Sequence, residues 1–140
     1  MHRLPRCIPV IVLLLLFFGL WSHDLGQYAL NGDEAFVALM ADEPVREIFH
    51  RLNTDEPHPP AYYMLMRIWQ IISDAHSEFV VRFPSVCLGV LLLSLVYRLG
   101  RELGLGQGGA LAALLFVAIN PQLTVHYREA RMYGLMAVGC

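Results

Sequence analysis

Three stretches of the chain are almost free of charge. Residues 8–21 read IPVIVLLLLFFGLW, residues 83–97 read FPSVCLGVLLLSLVY, and residues 103–127 contain only His126 as a side chain that could carry charge near neutrality. A bilayer-crossing helix takes about 20 mostly apolar residues. The pattern predicts such helices over 8–22, 82–100 and 107–125, the last breaking at Asn120-Pro121, with another beginning over 131–140. The segment between the first two, residues 23–81, is polar and interrupted. Within it, residues 33–52 read as helix, with one apolar stripe of Phe36, Val37, Leu39 and Met40 and a second of Ile48, Phe49 and Leu52. Pro44 breaks or restarts the helix between them. Residues 59–72, PPAYYMLMRIWQII, form a further element opened by two prolines. Fourteen residues at about 1.5 Å each reach only about 21 Å, short of a hydrocarbon core of about 30 Å. Arg67 in its middle would be costly in lipid. Both elements are expected to lie on the membrane surface.

The resulting fold class is an all-α polytopic membrane protein with a large outer loop. Arg3 and Arg6 precede the first apolar run, which places the N-terminus in the cytoplasm. If 59–72 does not cross, Arg82 stays outside and Arg98 and Arg101 return to the cytoplasm, as the same rule prefers. The first run also resembles a signal peptide, but Trp21-Ser22-His23-Asp24 is a poor cleavage site, which favours a retained helix. The expected setting is the inner, or plasma, membrane, with the outer loop on the extracytoplasmic side.

Composition agrees with this. Hydrophobic residues make up 56% of the 140 and charged residues 16%, against about a quarter charged in soluble domains. The net charge of −2 and the absence of a basic stripe argue against a nucleic-acid partner. Eight of the twelve acids fall within residues 23–58, opposed there by Arg46 and Arg51 alone. Cys7, Cys87 and Cys140 have no metal or disulfide spacing and read as small buried hydrophobes. The chain stops at Ala137-Val138-Gly139-Cys140, inside a rising helix, so the expectation is the N-terminal part of something longer, inactive by itself.

Four polar clusters fall on the outer face under this topology. They are Asp33-Glu34, Glu56-Pro57-His58-Pro59-Pro60, Arg82, and Tyr127-Arg128-Glu129-Ala130-Arg131-Met132-Tyr133. Each has a plain reading alone: a helix cap, a rigid turn, a snorkelling anchor, a weak surface ion pair. Together they suit transfer of a group from a phosphate to a hydroxyl. A carboxylate takes the hydroxyl proton, and arginine and histidine meet the charge growing on the departing phosphate.

The ordered set of these motifs, with Ser77-Glu78-Phe79-Val80-Val81-Arg82-Phe83-Pro84-Ser85 in third place, resembles the N-terminal part of the GT-C glycosyltransferases. It is closest to the branch that holds the dolichyl-phosphate-mannose–protein mannosyltransferases and the bacterial aminoarabinose transferases. The resemblance runs from Asn31 to Met136. It implies an inverting glycosyltransferase that moves a sugar from a polyprenyl-phosphate donor to a hydroxyl acceptor on a protein, lipid or glycan. It implies catalytic roles for Asp33, Glu34 and Glu129, with Asp33 as the general base or acceptor-site acid. It implies that His58, Arg82 and Arg131 bind the donor phosphate. The cofactor is unknown; some relatives carry a metal-linked glutamate directly before the Lys/His-Pro-Pro motif. That position here is Pro57, with Glu56 one residue earlier, so a divalent metal lacks its usual ligand pattern. The alternative is a non-catalytic membrane protein, a transporter or an assembly subunit. A transporter would carry polar residues deep in its spans, whereas here they gather at the ends.

Overall fold

The computed structural model describes residues 7–54, 59–73 and 77–139. These form eight helices: α1 (Ile8–Ser22), α2 (Gly32–Asp42), α3 (Val45–Thr54), α4 (Pro60–Ser73), α5 (Glu78–Glu102), α6 (Gly106–Ala118), α7 (Pro121–Arg128) and α8 (Tyr133–Gly139). No strand occurs among the described residues, which meets the all-α expectation.

One of these helices, α5, is long and apolar enough to cross a membrane unaided. Helices α6 and α7 pass the same test only jointly, with a bend of 66° between them. The bend lies at the expected Asn120-Pro121 break. The Asn120 side chain accepts from the amides of Gln122 and Leu123, and Pro121 occupies the first turn, where its missing N–H costs nothing. Helix α1 is apolar but only 15 residues long. Phe17 and Trp21 are its buried side chains, while Ile11, Val12, Leu15, Leu16 and Leu20 are exposed.

The expected 33–52 helix is two helices. The first starts a residue early, because Asn31 accepts from the Glu34 amide while the Glu34 carboxylate accepts from the Asn31 amide. This reciprocal capping box ties down two otherwise unpaired donors. The helix ends before Pro44. Arg67 of α4 closes that end by donating to the carbonyls of Ala41 and Glu43. The cation expected to burden 59–72 in lipid therefore has backbone partners. Of the residues in the expected stripes, Val37, Met40, Ile48 and Leu52 are buried, whereas Leu39 and Phe49 are exposed.

Helix α5 begins four residues before Arg82, capped by Ser77, whose side chain accepts from the Val80 amide. Arg82 thus sits in its second turn and not at its head. Pro84 lies inside the helix and cannot donate to the carbonyl four residues earlier. That carbonyl, of Val80, accepts instead from the Trp69 indole N–H of α4 at 2.8 Å.

Two apolar clusters share α5. Met40, Ile48, Tyr62, Met66 and Val81 belong to the first, which packs α2, α3 and α4 on the N-terminal half of α5. Trp21, Val86, Leu93, Leu114 and Tyr127 belong to the second, which packs α1, α6 and α7 along it. Gly89 is where the second cluster draws closest. An added Cβ there would lie 2.7 Å from Tyr127 Cγ and 2.8 Å from Trp21 Cζ3.

Candidate active site

The first turn of α2 carries two adjacent acids with opposite surroundings. Glu34 is 1% exposed and Arg82 8% exposed. Arg82 Nε donates to Glu34 Oε1 at 2.8 Å and Nη2 to Oε2 at 2.7 Å, a two-pronged pair. Its Nη1 donates to the carbonyls of Leu25 and Tyr28, both at 2.8 Å, and Nη2 also donates to that of Ala29 at 3.1 Å. All five N–H groups of the guanidinium are used. Glu34 receives two further bonds, from the Asn31 amide and from the Ala130 amide, each at 3.0 Å. The pair therefore locks the 25–29 segment, α2, α5 and the 129–131 segment together. Burial pushes the Glu34 carboxyl up, but Arg82 and the two amides outweigh it and hold the group below its ordinary value.

Every N–H of Arg82, expected to bind the donor phosphate, is committed inside the protein. Four donors occupy the carboxylate of Glu34, expected as a catalytic acid.

Asp33 is the reverse case. Its side chain is 70% exposed and forms an ion pair with Arg131. Arg131 Nε lies 3.2 Å from Glu129 Oε2, yet makes no hydrogen bond among the described residues. The amide of Arg131 donates to the carbonyl of Glu129 at 2.8 Å, so the backbone here is held as well. Five of the six expected site residues thus form one connected set. The sixth, His58, lies outside the described residues, as does Glu56.

Two cavities flank the 129–131 segment. One, of about 360 Å³, is lined by Glu34, Arg82, Arg128 and Glu129 together with Asp24 and Thr124. The other, of about 470 Å³, is lined by Asp33 and Arg131 with Phe36, Tyr62, Tyr63 and Tyr133. Tyr62 is anchored by a 3.0 Å hydrogen bond between its hydroxyl and Ser85, one turn beyond Arg82 on α5. Burial pushes the Tyr62 hydroxyl well above its ordinary pKa, so it stays protonated. Among the described residues no three of His, Cys, Asp and Glu gather as a metal-holding group. The acids at this site are matched with arginines instead.

The sequence reading missed several participants. Asn31 could have been found, since Asn-x-x-Glu is a capping-box signature. The carbonyls of residues 25, 28 and 29 and the Ala130 amide carry no side-chain signal.

The family model described as dolichyl-phosphate-mannose-protein mannosyltransferase matches residues 57–137, more than half of the chain. The chain belongs to this family. Members of the mannosyltransferase family are membrane glycosyltransferases, which agrees with the helical fold and its candidate span. The match includes His58, Arg82, Glu129 and Arg131, and begins after Asp33 and Glu34. No curated protein and no solved structure gives a significant match.

Proposed function

We propose that this mannosyltransferase-family chain forms the outer-face acceptor and donor region of an inverting glycosyltransferase. The donor is a sugar on a polyprenyl phosphate, and the acceptor is a hydroxyl of a protein, lipid or glycan. The N-terminus is cytoplasmic, α1, α5 and the α6–α7 pair cross the membrane, and α2, α3 and α4 lie at its outer surface. The observation that carries this reading is the contrast in the first turn of α2. Asp33 is the one acid of the doublet that reaches solvent, and it stands at the rim of an aromatic-walled cavity beside an arginine.

In the reaction, the Asp33 carboxylate accepts the proton of the acceptor hydroxyl as its oxygen attacks the anomeric carbon. The new carbon–oxygen bond forms on the face opposite the leaving group. The bond from that carbon to the phosphate oxygen breaks, and polyprenyl phosphate leaves with the electron pair. Arg131 stabilises the charge that collects on it. Glu129 orients Arg131, and the Glu34–Arg82 pair holds α2 against the 129–131 segment so that Asp33 and Arg131 face each other. His58 joins Arg131 in binding the donor phosphate, as the family resemblance implies.

The test is sugar transfer from a polyprenyl-phosphate donor by membranes carrying the full gene product. Asp33→Asn should lower the rate by about 10²–10⁴-fold, the usual worth of a positioned base. A variant that transfers within a few-fold of the parent rules this reading out.

A further inference from the structure

Arg131 is the only cationic side chain lining the 470 Å³ cavity among the described residues. Its backbone is fixed on the N-terminal side, by the Ala130 amide on Glu34 and by its own amide on the Glu129 carbonyl. Its guanidinium is not saturated. One end pairs with Asp33, which is largely in water, and Nε faces Glu129 Oε2 at 3.2 Å as an ion pair without a hydrogen bond. Arg82, joined to the same segment through Glu34 and the Ala130 amide, shows what saturation looks like: five donors and five acceptors.

An ion pair with one solvated partner is weak, because water screens it and competes for both groups. A phosphate offers the same guanidinium two parallel charge-assisted bonds. It also places a second negative charge beside Asp33, and like charges at that distance repel. The side chain of Asp33 has solvent to turn into, while its backbone is held in α2.

We propose that Arg131 is an exchange site: an entering phosphate ester displaces Asp33 from the guanidinium and thereby frees the Asp33 carboxylate. In the empty cavity the acid is masked. Once the phosphate is seated it is unmasked and able to accept a proton. The donor therefore binds first and the hydroxyl acceptor second. The base role of the freed carboxylate rests on the glycosyltransferase reading, whereas the exchange itself rests only on Arg131 and Asp33.

The experiment measures phosphate binding by the full chain in phosphatidylcholine vesicles, with two probes. One is a short polyprenyl monophosphate in the bilayer, and the other is inorganic phosphate in solution. Asp33→Asn removes the internal competitor and should tighten binding by about two- to fivefold, the fold-change equivalent to a solvated ion pair. Arg131→Gln should weaken it by at least about tenfold, the loss of a charge-assisted pair. Tightening with both probes assigns the site to the phosphate group itself; tightening in the bilayer arm alone assigns it to a lipid-borne phosphate. Unchanged or weaker binding by Asp33→Asn in both arms overturns the exchange. If that variant also loses transfer, the glycosyltransferase reading survives without it. If transfer is retained, that reading falls whatever the affinities are.

Discussion

Asp33 and Glu34 are neighbours in the chain, both carboxylates, and both paired with an arginine from a distant segment. Their environments nevertheless differ in every physical respect. The Glu34–Arg82 pair is buried, two-pronged and closed, with no donor left over. The Asp33–Arg131 pair is open to water and bordered by a cavity. The helix makes the difference: successive side chains point about 100° apart, so one acid enters the core while the next faces out. A closed pair can only hold position, whereas the open pair is the one the proposed function uses for chemistry; one helical turn supplies both.

The comparison can be broken most directly at Glu34. Glu34→Gln leaves Arg82 buried without its counter-charge, a loss of about 3–5 kcal/mol in unfolding free energy. Replacing both partners with leucine should recover part of that, because the uncompensated charge goes too. Denaturant unfolding in detergent reads both. A change below about 1 kcal/mol for the single variant would place this pair with weak surface pairs and dissolve the contrast. The same variant has a pH signature. The Glu34 carboxyl is held below its ordinary 4.5 in the folded chain, so its contribution is present above that value and fades as pH falls toward the folded value. Glu34→Gln should flatten the acid limb of the stability curve.

Gly89→Ala is the next largest. The added methyl meets Trp21 and Tyr127, and overpacking of this kind costs about 1–3 kcal/mol. It acts on both pairs at once, because Tyr127 leads directly into the 129–131 segment. Asn31→Ala removes one arm of the capping box and should cost about 1 kcal/mol. It touches the closed pair through the Glu34 end of α2 and leaves Arg131 alone. Asp33→Asn should be the smallest in stability, within about 1 kcal/mol of the parent, while being the largest in transfer. A large loss of stability there would make Asp33 a second brace, and the division of labour between the two acids would fail.

Much of this was legible in the residues before any coordinates. Pro44 and Asn120-Pro121 announced their breaks, because proline cannot continue the preceding ladder. The 59–72 element was expected as a short separate helix and is one, half-buried and packed on α2 and α5. The clustering of Asp33-Glu34, Arg82 and the 127–133 motif was also readable, and five of the six expected site residues meet. Their division of roles was not readable. Which acid of a doublet turns inward depends on where the helix begins, and that is set by the Asn31 cap, whereas the sequence pattern put the start at residue 33. Arg82 appeared exposed because its helix was expected to begin at about that residue, whereas the Ser77 cap starts it a turn earlier. The Trp69–Val80 bond had no linear trace at all, since the carbonyl freed by Pro84 finds its donor on another helix.

The Glu34 network also has a timetable. Glu34 is synthesised 48 residues before Arg82 and 96 residues before Ala130. At about 5–20 residues per second, the carboxylate waits roughly 5–20 s for its last partner. Arg82 emerges halfway through that interval and can already tie the 25–29 segment to α2. The 129–131 segment joins last, so the part of the site that holds Arg131 is the last to become fixed.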